Sequence, residues 1–349
     1  MKLAALAKAS LWCALAAGCA GVGPDWSDRH LIVLNKSDAT AWVIDLPGAR
    51  GHFVVDVGAG PHEVASSPDC TLAAVANYGE REPGNTLTLI VNGIASAAQP
   101  IDLGEHRRPH GIQFVDDHSV VVTSEDSRAL LLVDVPEGRV TRVMPTEQEL
   151  SHMVVLTPDR ARAFVANIGS GTVTALDLNS GAILKQIATG KGSEGIDVTP
   201  DGREVWVCNR AADTLSVIDA DKLEVVATLP CAKFPIRIKT TPDGVFALVS
   251  CAQSGDVAVF DIGQRSEARR IPMGIQASEN VSDRLMHFGE SPTPIGILIR
   301  PDGQRAYIAN TNADIVTEID LATWEIVARI PTGKQPDGLG WCGAAAANR

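Results

Sequence analysis

Thr199-Pro200-Asp201-Gly202, Thr241-Pro242-Asp243-Gly244 and Arg300-Pro301-Asp302-Gly303 are three copies of one turn, and Ser67-Pro68-Asp69 and Thr157-Pro158-Asp159 are shorter versions of it. Proline presets the first turn dihedral, aspartate braces the backbone, and glycine accepts the positive φ that closes the turn. Each copy leads into an apolar stretch, as in Ala163-Phe164-Val165-Ala166-Asn167 and Glu204-Val205-Trp206-Val207-Cys208-Asn209. A polar hairpin follows, then a third strand ending in aspartate, such as Thr214 to Asp219, and a fourth segment such as Ile183 to Ile187. The unit recurs about every 42 residues, a period that signals a repeat architecture. Four short strands separated by Gly, Pro, Asn and Asp turns make one antiparallel sheet, which cannot bury both of its faces alone. Radial stacking around an axis buries them, so the expected fold is an all-β, seven-bladed β-propeller of four-stranded blades.

The innermost strands align at their starts: Pro61-His62-Glu63, Pro109-His110-Gly111, Ser151-His152-Met153, Ser193-Glu194-Gly195, Pro235-Ile236-Arg237, Pro294-Ile295-Gly296 and Pro336-Asp337-Gly338. The last of these seven has no further strands behind it, whereas residues 30–57 contain three strands with no inner strand ahead of them. The chain ends are therefore expected to share the first blade, with Gln335 to Trp341 pairing against the strand around His30 to Asn35. The propeller should occupy residues 28–342.

Phe164-Val165-Ala166-Asn167, Val205-Trp206-Val207-Cys208-Asn209 and Tyr307-Ile308-Ala309-Asn310 resemble the namesake strand of the bacterial YVTN-type propellers. The resemblance covers the chain after Ser27. It implies the fold and leaves the function open, since related propellers include lactonase-like and lyase-like enzymes, haem-related proteins and binding modules. Pro109-His110-Gly111 is similar to a motif of some streptogramin-lyase-like propellers, but the rest of that catalytic pattern is missing.

Hydrophobic residues make up 45% and charged residues 21% of the 349-residue chain, an ordinary globular composition, and the net charge of −12 disfavours nucleic acid and anionic lipid as partners. Lys2 and Lys8, the apolar run from Ala9 to Ala17, and Gly18, Gly21, Gly23 and Pro24 after it have the layout of a secretory signal, assigned to residues 1–20. Leu15-Ala16-Ala17-Gly18-Cys19 resembles a lipobox with its leucine one position early, so Cys19 is a candidate lipid anchor, and an Ala14-Leu15-Ala16 cleavage site is the alternative. A periplasmic or extracytoplasmic location follows, with membrane contact through that anchor alone. Five cysteines remain beyond the signal; Cys231 and Cys251 are both expected on one face, close enough for a disulfide in an oxidising compartment. No C-x-x-C-H is present, which argues against covalent c-type haem.

The second register position carries the chemistry. It holds His62, His110, His152 and Glu194 in blades two to five and Asp337 in the shared first blade, against Ile236 and Ile295 in blades six and seven. Equivalent positions of consecutive blades face one end of the channel, so three imidazoles and two carboxylates should form an arc opposite an apolar wall. Imidazole and carboxylate suit copper, zinc or iron, which makes His62, His110 and His152 candidate metal ligands. Arg237 at the third position, Arg107 and Arg108 before blade three, and His287 with Met286 in the long connector between blades six and seven are expected at the same mouth. Recurrent Asn35, Asn77, Asn167, Asn209 and Asn310, and the aspartates ending third strands, read as turn chemistry, because they obey the repeat rather than break it. The expectation is an exported propeller holding a metal ion or small polar ligand. The alternatives are a lactonase-, lyase- or metal-dependent oxidoreductase-like enzyme at the same site, or a scaffold for an envelope protein.

Overall fold

The recurrent turns fold as their chemistry dictates. Thr199 Oγ1 donates to Asp201 Oδ1 at 2.6 Å, the Asp201 carboxylate accepts from the Arg203 amide, and Gly202 takes φ +74°. Thr241, Asp243 and Gly244 repeat the arrangement with φ +71°. In this computed structural model, residues 29–46, 51–91, 96–97, 100–276, 279 and 288–343 are described.

Seven antiparallel sheets result. In the fifth blade, for example, Ser193–Val198, Glu204–Asn209, Thr214–Asp219 and Glu224–Pro230 lie in that order from the channel outward. Second and third strands are buried on both faces, which explains their continuous apolar runs, while the fourth strand alternates between exposed and partly buried residues. Blade two departs from the pattern: its fourth strand is two short pieces, Ser96–Ala97 and Ile101–Asp102, both paired to Pro83–Val91.

Neighbouring blades bury these faces against each other. Trp206, Leu215 and Val217 of blade five pack on Ile238, Val249 and Phe260 of blade six, and each of the other interfaces has a similar aliphatic layer. Each inner strand touches the next, and the seventh touches the C-terminal strand, so the ring closes. The closure is the expected one: Pro336–Cys342 pairs with Arg29–Asn35, setting Ile32 opposite Gly340 and Leu31 opposite Trp341. The fold read from the repeat is thus the fold observed. Among the described residues no helix is long and apolar enough to cross a membrane.

Candidate ligand site at the channel mouth

Each inner strand breaks its ladder near the second register position. Pro61 faces Asn77 and Glu63 faces Ala76, which leaves His62 unpaired between them, and His152 is bypassed in the same way between Ser151 and Met153. A bulge adds one residue to a strand and re-aims its side chain. Seven bulges at one level therefore turn a set of strand starts into a ring of side chains. Glycine at the third position lets these strands approach: a Cβ on Gly111 would lie 2.7 Å from the His152 carbonyl oxygen, and one on Gly338 would lie 2.3 Å from that of His62.

The structure brings the arc together. The His62 and His110 rings have centroids 5.0 Å apart, and those of His110 and His152 are 3.5 Å apart at 35°. Tyr78 closes on both, at 4.5 Å from His62 and 5.6 Å from His110, with the Arg108 guanidinium 4.6 Å above its ring. His152 continues the chain through its Nδ1 to Glu125 and through Nε2, 3.2 Å from Glu194 Oε1, while Tyr78 donates to the other Glu125 oxygen at 2.7 Å. Glu194 also pairs with Arg210 and, at 3.0 Å, with Arg237. Arg237 spans the channel to Glu63 on blade two at 2.9 Å. Asp337 pairs with Lys36 at 2.8 Å, so that residues from the two chain ends complete the arc. Opposite stand Ile236 and Ile295 with Phe234 and Phe288, the expected apolar wall.

Burial and charge set the protonation states. Burial, then the Lys36 charge, push His62 down to about 3, and burial with the neighbouring His152 holds His110 well below its ordinary range. Both rings are neutral at physiological pH. For His152 burial acts in the same direction, but the hydrogen bond to Glu125 and the neighbouring Glu194 carboxylate outweigh it and raise the imidazole. Burial likewise opposes ionisation of Glu194, yet His152, Arg210 and Arg237 bring it down to about 2. Asp337 is held low against burial by Lys36, and burial keeps Glu63 high against the pull of Arg237.

The expected three-imidazole metal set does not form. Among the described residues no three His, Cys, Asp or Glu side chains are arranged to hold a metal ion. The physical reason lies in the partners: His62 Nδ1 faces the Gly60 carbonyl at 2.8 Å, both His152 nitrogens face carboxylates, and the rings meet tilted or edge to face. His287 and Met286 lie outside the described residues, as do Cys19 and the signal segment. Arg107 is exposed. Cys231 and Cys251 are free thiols with Sγ atoms 3.8 Å apart. The asparagines brace hairpins as expected; Asn167 and Asn209 each donate to hydroxyls of the facing strand at 2.9 Å.

Lys36, Tyr78, Glu125 and Arg210 were missed in the sequence, although a signal for them exists. Each follows the residue that starts the hairpin after a second strand, Asn35, Asn77, Ser124 or Asn209, the place where Ile168, Ala252 and Thr311 stand in other blades. That position is a second ring in register with the first, and its polar members break the repeat.

The fold and repeat together define the class: a seven-bladed β-propeller. Within it, residues 116–288 match the family described as YNCE-like beta-propeller, a span from the third blade to the connector after the sixth. No protein of curated function matches the sequence. Among solved structures, a chain of Kuenenia stuttgartiensis hydrazine synthase superposes with TM-score 0.68 at 18% identity, covering 80% of this chain and 88% of that one. A functionally unknown protein from Desulfotomaculum acetoxidans DSM 771 superposes with TM-score 0.73 at 12% identity, covering 90% and 99%. At these identities the likeness is one of fold.

Proposed function

We propose that this protein is an exported β-propeller that binds a small polar ligand at the histidine- and acid-lined mouth of its channel. The observation that carries this reading is that His110 Nδ1 and Asp337 Oδ1, buried atoms of the arc, find neither a hydrogen-bond nor an ion-pair partner among the described residues. Buried polar groups are satisfied in nearly all proteins, and an unsatisfied one calls for a partner. A neutral imidazole and an ionised carboxylate on one side, with Ile236, Ile295 and two phenylalanines on the other, suit a molecule with one hydrogen-bonding end and one apolar end. Export rests on the N-terminal residues alone.

The test is native mass spectrometry of protein purified from the producing cell, with organic and metal analysis of the denatured extract. A small organic molecule released from the wild type and lost in a His62→Ala/His110→Ala variant supports the proposal. An extract with no such molecule, or one unchanged by the variant, opposes it, and a stoichiometric metal would replace it with a metal site.

A second reading, catalysis at the same mouth, draws on the relay from the Tyr78 hydroxyl through Glu125 and His152 to Glu194. Such a chain can hold and move a proton. Hydrolysis of a simple lactone that Glu125→Gln abolishes without loss of fold would favour it.

A further inference from the structure

Below the mouth the channel contains a separate cavity of about 290 Å³. None of the five arc residues lines it. Its roof is the cross-channel pair of Arg237 and Glu63. The fourth residue of all seven inner strands, from Val64 round to Leu339, forms an aliphatic collar beneath that roof. At the far ends of the strands stand half-buried Ser66, Lys239 and Trp341, toward the face opposite the mouth.

The polar groups around this space leave specific hydrogen-bonding capacity unused. Arg237 donates through Nε at 3.1 Å and through Nη2 at 2.9 Å, and both bonds end on Oε1 of Glu63. Glu63 Oε2 therefore receives nothing from the guanidinium. The Trp341 indole Nε1 is buried and has no partner among the described residues. Lys239 is engaged by Asp197 at 3.2 Å, so the lower end carries one charge of each sign. A cation would meet Arg237 and Lys239, and an anion would meet Glu63 and Asp197. A hydroxyl can both give a proton to Glu63 and accept one from the indole, and costs little to dehydrate compared with a charge. The volume lies near the lower end of small-molecule pockets, about 300 Å³.

We infer that this lower channel is a second binding site, distinct from the mouth, for a neutral molecule bearing a hydroxyl group on a compact apolar body. The apolar body would fill the aliphatic collar, and the hydroxyl would meet the Glu63 carboxylate or the Trp341 indole at its two ends.

A matched probe series tests it on the full chain: benzyl alcohol, toluene, benzoate and benzylammonium, followed by the ¹⁵N–¹H indole signal of Trp341, assigned with Trp341→Phe. The expected result is a saturable shift with benzyl alcohol, which binds about two- to tenfold more tightly than toluene, the worth of one net hydrogen bond. Both ions should bind more weakly than the alcohol. Ala65→Phe, which places a ring in the cavity, should abolish the shift, and Ala65→Leu serves as the smaller obstruction if the larger one prevents folding. His110→Ala should leave it unchanged, so failure here is separable from failure of the mouth site. No saturable shift, equal affinity for alcohol and toluene, tighter binding of either ion, or binding that survives both Ala65 variants would overturn the assignment.

Discussion

Replacing Arg237 by methionine should be among the most destabilising single changes in the propeller. The guanidinium makes two hydrogen bonds to Glu63, one to Glu194 at 3.0 Å and one to the Ile236 carbonyl, and its side chain is only 7% exposed. Methionine keeps most of the volume, so the loss is electrostatic. Glu194 retains Arg210 and His152, whereas Glu63 retains no ion-pair partner among the described residues. Breaking one side of a buried pair costs about 3–5 kcal/mol. Glu63 can escape part of that cost by taking up a proton. Burial already holds its folded pKa above the ordinary value, and loss of Arg237 raises it further, so the variant recovers stability relative to the wild type as pH falls toward the ordinary carboxylate range. A tenfold difference in proton affinity between the folded and unfolded chains is worth about 1.4 kcal/mol, and the deficit at about pH 5 should be smaller than at about pH 7 by roughly 1–2 kcal/mol. Urea unfolding followed by circular dichroism at both pH values measures this. Adding Glu63→Leu should return part of the lost stability, because the orphaned carboxylate is gone. A cost below about 1 kcal/mol at neutral pH, a deficit that does not shrink in acid, or no recovery in the double variant would refute the description of Arg237 as the cross-channel strut.

His62 is held down to about 3 from an ordinary 6.5, so the unfolded chain binds its proton first and the fold loses stability as pH falls from about 6.5 toward 3. His62→Phe should flatten the stability profile between about pH 6.5 and 5, where ordinary carboxylates stay ionised, and unfolding curves at half-unit steps would show it. Removing residues 334–349 takes away the strand that closes the first blade, and the expected outcome is loss of the cooperative unfolding transition rather than a small shift in midpoint. Oxidised glutathione should join Cys231 to Cys251, whose sulfurs already lie 3.8 Å apart; intact-mass analysis would find two hydrogens lost, and Cys251→Ser should prevent it.

The fold was legible because each of its devices repeats. Pro-Asp-Gly turns, the asparagines before hairpins and the surplus start at Pro336 each imply the ring independently, and they agree. The location of the arc was legible for the same reason: residues in one register are related by the rotation between blades. What the register could not convey was which way each ring turns once it arrives. That depends on partners from other strands, above all Glu125 beside His152 and Lys36 beside Asp337. Such partners turn a row of like residues into closely packed, individually partnered and differently charged groups. The bulge that frees the second position was also hidden, since it is a property of pairing rather than of residue type, although the glycines following His110, Glu194, Ile295 and Asp337 mark the close approach.

The ion pair between Lys36 and Asp337 has a bearing on biosynthesis. Lys36 follows the first described strand of the propeller and Asp337 lies on the last, so one is made before the rest of the ring and the other after it. Six blades can form in order as the chain lengthens, but the mouth lacks one of its walls until the final segment arrives. A polypeptide cut short just before that segment would hold its histidines in an open horseshoe, with the first blade's apolar face uncovered. Closure of the ring and completion of the arc are therefore the same event, accomplished by a single strand.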